Sequence, residues 1–96
     1  MYILITYDVN TLTETGQKRL RQVAKTCKDY GQRVQNSVFE CEISESQFIF
    51  LKTRLCTLID QDSDSVRFYF LSPKSHGRVI TLGKQTAYNV DDAIII

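Results

Sequence analysis

From Tyr2 to Val9 the chain alternates with a period of two. Ile3, Ile5, Tyr7 and Val9 fall on one side, and Tyr2, Leu4, Thr6 and Asp8 on the other. Both sides are largely apolar until Asp8, which is the pattern of a strand in the middle of a sheet. Asn10 to Gly16 is a polar connection with Thr11 and Thr13 among its candidate helix caps. The period then becomes helical. Leu20, Val23, Ala24 and Cys27 form one stripe at i, i+3, i+4 and i+7, which predicts a helix over Gln17–Tyr30. Gly31 is placed to stop it in a left-handed conformation.

Arg33 to Ile43 is extended, but its phase slips. Val34 is apolar on the even positions, whereas Phe39, Cys41 and Ile43 are apolar on the odd ones. A bulge, or a break into two short strands near Asn36-Ser37, restores the phase. Ser44 and Gln47 fit a capping box, and Phe48, Leu51, Leu55, Leu58 and Ile59 then mark a second helix. After the polar run Asp60–Asp64, alternation returns over Ser65–Leu71. Pro73–Gly77 reads as a loop and Arg78–Leu82 as a further short strand.

These elements predict an α+β fold, a ferredoxin-like βαββαβ sandwich with an additional short C-terminal strand. Residues 1–82 form the domain and 83–96 a tail expected to contact a partner. Two helices cover one sheet face. The uncovered face, which carries Tyr2, Leu4 and Thr6, is expected to be apolar and to bind a partner, with a second copy of the chain as the simplest choice.

Composition narrows this little. The chain has 96 residues with 43% hydrophobic and 24% charged side chains, enough for one modest core. Cys27, Cys41 and Cys56 are too far apart for a CxxC pair and make no zinc pattern with His76, so they are expected to be reduced, mostly buried thiols of a cytoplasmic protein. The apolar run before Asp8 is too short for a secretory segment, and no stretch approaches membrane-spanning length.

Net charge is only +1, but its distribution is uneven. Between Gly16 and Gln35, Lys18, Arg19, Arg21, Lys25, Lys28 and Arg33 face Asp29 alone, a local formal charge of +5. Such a run is either a solvated helix face or a surface for backbone phosphates. Nothing resembles a base-reading motif. In particular, Gln35–Glu40 lacks the Lys/Arg-Gly-aromatic run that RNA-recognition motifs carry on their third strand. The rings of Tyr7, Phe39, Tyr69 and Tyr88 are therefore expected to pack.

Asp8 ends the first strand and Asn10 follows it. Two readings stand. Asp-x-Asn is common turn chemistry, because both side chains hydrogen-bond nearby backbone. Alternatively, a two-fold axis near the end of this strand brings two Asp8 carboxylates together, and such a pair binds a divalent cation or repels. Asn10 could add an amide oxygen.

Several stretches together resemble the CRISPR-associated protein 2 family: "LITYDV" (4–9), "KRLRQVAK" (18–25), "YGQRVQNSVFEC" (30–41) and "SVRFYFL" (65–71). The resemblance implies a ferredoxin-like homodimer and a metal-dependent endonuclease acting in spacer acquisition, on DNA ahead of RNA. It implies Mg²⁺ or Mn²⁺ as cofactor, with Asp8 as catalytic residue and metal ligand. Tyr7, Arg19, Arg21, Arg33, Ser37 and Phe39 would support the site or contact nucleic acid. The implied partners are the CRISPR integrase subunit (CRISPR-associated protein 1) and double-stranded DNA, or RNA, with no membrane. The alternative is a non-catalytic adaptor that bridges integrase subunits and holds duplex DNA. A third is a toxin-like ribonuclease of the same fold.

Overall fold

The structure, a computed structural model, describes residues 1–71 and 77–84. Along these residues the elements run β1 (Tyr2–Asp8), α1 (Glu14–Tyr30), β2 (Gln32–Gln35), β3 (Val38–Glu42), α2 (Glu45–Leu58), β4 (Ser65–Phe70) and β5 (Val79–Gly83). The strands form one antiparallel sheet in the order β2-β3-β1-β4-β5, which is the ferredoxin-like arrangement with β5 added at an edge. His76, most of the expected 73–77 loop, Tyr88 and the tail from Gln85, including Ala93–Ile96, lie outside the described residues.

The period-two pattern sorts the sheet faces as the sequence predicts. Ile3, Ile5 and Tyr7 of β1, Phe39 and Cys41 of β3, and Val66, Phe68 and Phe70 of β4 are buried under the helices. Val23 and Cys27 of α1 and Phe48, Leu51 and Leu55 of α2 meet them. Phe48 packs edge-on against Phe68 and Phe70, with centroids 5.3 and 5.2 Å apart. The phase slip at Asn36-Ser37 is a two-residue turn that joins two short strands, with Gln35 facing Val38 and a register shift between Arg33 and Gln35.

Two expectations are corrected, on Gly31 and on the open sheet face, while the cysteines are reduced and mostly buried as expected. Gly31 is not left-handed: its φ of −160° is extended backbone. Glycine suits the position because a Cβ there would run into the Glu40 carbonyl oxygen and the Cys41 sulfur where α1 meets β3. Cys56 is exposed, whereas Cys27 and Cys41 are buried; all three are free thiols. The uncovered sheet face is not simply apolar. Across it, Leu4 lies between Glu40 and Tyr69, and Thr6 between Val38 and Arg67. The Tyr2 hydroxyl is hydrogen-bonded to Glu40, which pushes its pKa up.

α1 begins earlier than the apolar stripe predicts. Thr13 caps it, its hydroxyl accepting from Gly16 N at 3.1 Å, and Glu14 occupies the first turn. The Ser44–Gln47 capping box of α2 is present with both of its hydrogen bonds.

Candidate metal and nucleic-acid site at the tip of β1

Asp8 is the last residue of the central strand, and its ladder partner is Ser65, the first residue of β4. Strand alternation turns it away from the helices, onto the uncovered face, where it is exposed. With Thr6, Tyr7, Ser65, Arg67 and Tyr69 it lines a shallow depression of about 210 Å³. Arg67 donates to the Tyr69 hydroxyl at 3.5 Å, which keeps a guanidinium at this depression.

The backbone on either side of Asp8 is tethered. On one side, the Tyr7 hydroxyl donates to the Asn36 carbonyl at 3.0 Å and Tyr7 N donates to Ser37 O at 3.1 Å. The Tyr7 ring stacks on Phe39 at 6.1 Å, and the Arg33 guanidinium lies 5.2 Å from the other ring's centroid. Burial pushes the Tyr7 hydroxyl pKa up, although a hydrogen bond with Arg33 works against this. On the other side, Asn10 N donates to Asp64 Oδ1 at 3.0 Å. Asn10's own amide oxygen accepts from Leu12 N at 3.0 Å, so in this structure Asn10 performs turn chemistry.

The residues named from the sequence thus separate into groups. Tyr7, Arg33, Ser37 and Phe39 come together at the β2–β3 turn beside Asp8. Tyr7 is buried and Phe39 is fully buried, so neither ring presents a face to a base; their support is packing. Arg21 is exposed on α1, as are Lys18, Lys25 and Lys28. Arg19 departs from that stripe. Its Nε donates to Asp64 Oδ2 at 2.8 Å and its Nη2 to Oδ1 at 3.4 Å. It is therefore committed to an internal ion pair, because a carboxylate taken out of water requires a matched cation.

Asp64 itself was hidden in the run Asp60–Asp64. A signal was available: positions 64, 66, 68 and 70 share the phase that β4 buries. Burial alone would push its carboxyl up. The Arg19 hydrogen bonds and the N–H groups of Asp60 and Asn10 outweigh that and hold it below the usual carboxylate range.

The expected divalent cation can be tested against these donors. Among the described residues no group of three or more His, Cys, Asp and Glu side chains converges on one point. Around Asp8 the available atoms are hard oxygens, from one carboxylate and the hydroxyl-bearing Thr6 and Ser65. Magnesium takes one or two carboxylates and completes its shell with water and phosphate. Asp8, with Thr6 and Ser65 beside it, would hold such an ion through one carboxylate, with water and phosphate completing the shell.

Fold and site together define a small α+β protein of the ferredoxin-like class with an acidic strand tip on its uncovered sheet face. The model of the family described as CRISPR associated protein Cas2 matches residues 1–79, and the chain belongs to that family. It is 51% identical over 96 residues to the "CRISPR-associated endoribonuclease Cas2 1" of Moorella thermoacetica, covering 100% of both chains. It is 47% identical over 95 residues to the "CRISPR-associated endonuclease Cas2" of Halalkalibacterium halodurans, covering 99% of each. The crystal structure of Streptococcus pyogenes Cas2 at pH 6.5 matches with a TM-score of 0.71 and 58% identity, over 86% of this chain and 100% of that one. Among the described residues no helix is long and apolar enough to cross a membrane.

Proposed function

We propose that this chain is a nuclease of CRISPR spacer acquisition. It acts as a homodimer in which the Asp8 carboxylates of two protomers share one Mg²⁺ or Mn²⁺. The observation that carries this reading is the placement of Asp8: exposed, at the end of the central strand, on the face without helices, and beside Arg67. Pairing two protomers across that face turns two half-sites into one. The mixed surface of Leu4, Tyr2, Glu40 and Arg67 offers both apolar contact and charge pairing for it.

A cation held there by Asp8 would supply positive charge to the scissile phosphate and lower the pKa of bound water. The chain's own groups do the rest. Asp8 holds its oxygens on the open face from a backbone tethered on both sides. Arg67 places a guanidinium where it can pair with a phosphate oxygen. Lys18, Arg21, Lys25 and Lys28 grip the flanking backbone without reading bases. Arg33, exposed over Phe39, adds a cation near the β2–β3 turn.

The family resemblance put DNA ahead of RNA, while the Moorella relative's name says endoribonuclease and the Halalkalibacterium relative's says endonuclease. The deciding experiment is a Mg²⁺ and Mn²⁺ titration on single-stranded RNA and linear duplex DNA. Wild type and Asp8→Ala are purified side by side, with sedimentation reporting the oligomeric state. Cleavage by wild type alone, from a dimer, supports the reading. No cleavage of either substrate at any metal concentration, or equal cleavage by Asp8→Ala, removes it.

The exposed cations of α1 also favour a second reading, since they can hold duplex DNA without any part for Asp8. In it the chain is a non-catalytic adaptor bridging CRISPR-associated protein 1. Spacer capture that survives Asp8→Asn selects the adaptor; capture lost together with cleavage selects the nuclease.

A further inference from the structure

Asp64 is the one fully buried charged side chain among the described residues. Its two oxygens accept from three places: Arg19 of α1, 45 positions away, Asn10 of the β1–α1 connection, 54 positions away, and the nearby Asp60 N at 2.9 Å after α2. Its main chain is equally engaged. Asp64 N donates to Asp60 O at 2.8 Å, and Lys84 N donates to Asp64 O at 2.7 Å. Gly83, at φ +85°, lets the end of β5 come this close, because a Cβ there would strike the Asp64 carbonyl oxygen.

Net stability is a weak reason for such a pair, since well-packed apolar residues often stabilise a fold as much. Geometry gives a stronger one. Asp8 pairs in the ladder with Ser65, Asp64 directly precedes Ser65, and the Asp64 carboxylate reaches back to Asn10. Asp8, Val9, Asn10, Asp64 and Ser65 therefore close a small ring. Val9 is buried, which pins the one residue between Asp8 and Asn10. With this ring closed, the chain cannot leave β1 in another direction without breaking a bond to a buried carboxylate.

We propose that Asp64, held by Arg19, is a positioning residue that fixes the turn after β1 and so the direction of the Asp8 carboxylate. This rests on the reading of Asp8 as the cation-holding group. Outer supports of metal ligands matter in this way because a ligand free to swing must be ordered at each binding event.

The test uses Asp64→Asn, which keeps the shape but not the charge, and Arg19→Lys, which keeps the charge but not the planar fork. Amide hydrogen exchange is followed at Asn10 and Leu12, with Ile5 and Phe68 as core references. Mn²⁺ affinity is measured by electron paramagnetic resonance in the absence of substrate. In Asp64→Asn, protection at Asn10 is expected to fall on the order of tenfold relative to the core amides, and the Mn²⁺ dissociation constant to rise by about the same factor. Arg19→Lys is expected to lie between Asp64→Asn and wild type. Protection at Asn10 that falls only in step with Ile5 and Phe68, or Mn²⁺ bound as tightly by Asp64→Asn as by wild type, overturns the proposal. Wild type that binds no Mn²⁺ sinks the reading of Asp8 by itself, and exchange at Asn10 then decides alone whether Asp64 fixes the tip.

Discussion

The Tyr7 hydroxyl crosses from β1 to the β2–β3 turn and donates to the Asn36 carbonyl at 3.0 Å, so the residue before Asp8 is locked to the neighbouring hairpin. Removing only that oxygen deletes this bond together with the hydroxyl's hydrogen bond with Arg33. Tyr7→Phe keeps the ring on Phe39 and is expected to cost about 1 kcal/mol, because Asn36 is exposed and its carbonyl can turn to water. Urea unfolding should show a lower midpoint with an unchanged slope. A loss above about 3 kcal/mol would mean the ring packing has gone as well.

Asp64 gives the fold an acid dependence with a definite sign. Its folded pKa is depressed below the ordinary 3.8, so the unfolded chain binds this proton more readily. The stabilisation is present above the unfolded value and is lost as pH falls through the folded one. The stability gap between wild type and Asp64→Asn should therefore be constant near neutrality and shrink below about pH 4. Urea midpoints of both proteins, stepped from pH 7 to pH 2, measure it. A gap that widens on acidification would contradict the ion pair.

Gly16 lets the first turn of α1 lie against the loop that follows Asp8. A Cβ at Gly16 would collide with the Asn10 carbonyl oxygen, which is backbone and cannot swing aside. Gly16→Ala is expected to destabilise by about 1–3 kcal/mol despite alanine's better helix propensity. A melting temperature equal to or above that of wild type would show that the loop yields freely.

The thiols should divide by burial. Burial pushes Cys27 up to about 12, with Cys41 adding to the effect, and burial pushes Cys41 up to about 11. Cys56 is exposed on α2. Iodoacetamide at pH 8 should add one group per native chain, at Cys56, and three after denaturation, as read by intact mass. Rapid native labelling of Cys27 would show that the contact between α1 and β3 opens.

Much of the fold was legible because burial and strand alternation share one phase. Ile3, Ile5, Phe39, Val66, Phe68 and Phe70 all face the helices as their spacing predicts. The same phase placed Asp8 on the open face and Tyr7 and Phe39 inside, which limits those two rings to packing. Arg19 was harder to place. A charge count along α1 cannot tell which cation turns inward, although Gly16, Arg19 and Val23 continue the inner stripe at i, i+3 and i+7. Its partner lies 45 positions away, where only the packed sheet brings it into reach. The Gly31 conformation was missed for a similar reason: what needs glycine there is the approach of β3, a tertiary fact.

The twin anchoring of the β1 tip bears on recognition. A side chain on a loose hinge surrenders rotational freedom whenever it grips a ligand, and that surrender weakens the grip. Here the main chain around Asp8 is immobilised during folding, by Asn36 on one flank and Asp64 on the other. Whatever docks at this end of the sheet meets an acid group carried on main chain that is already held, so little of the contact energy is diverted into ordering that backbone.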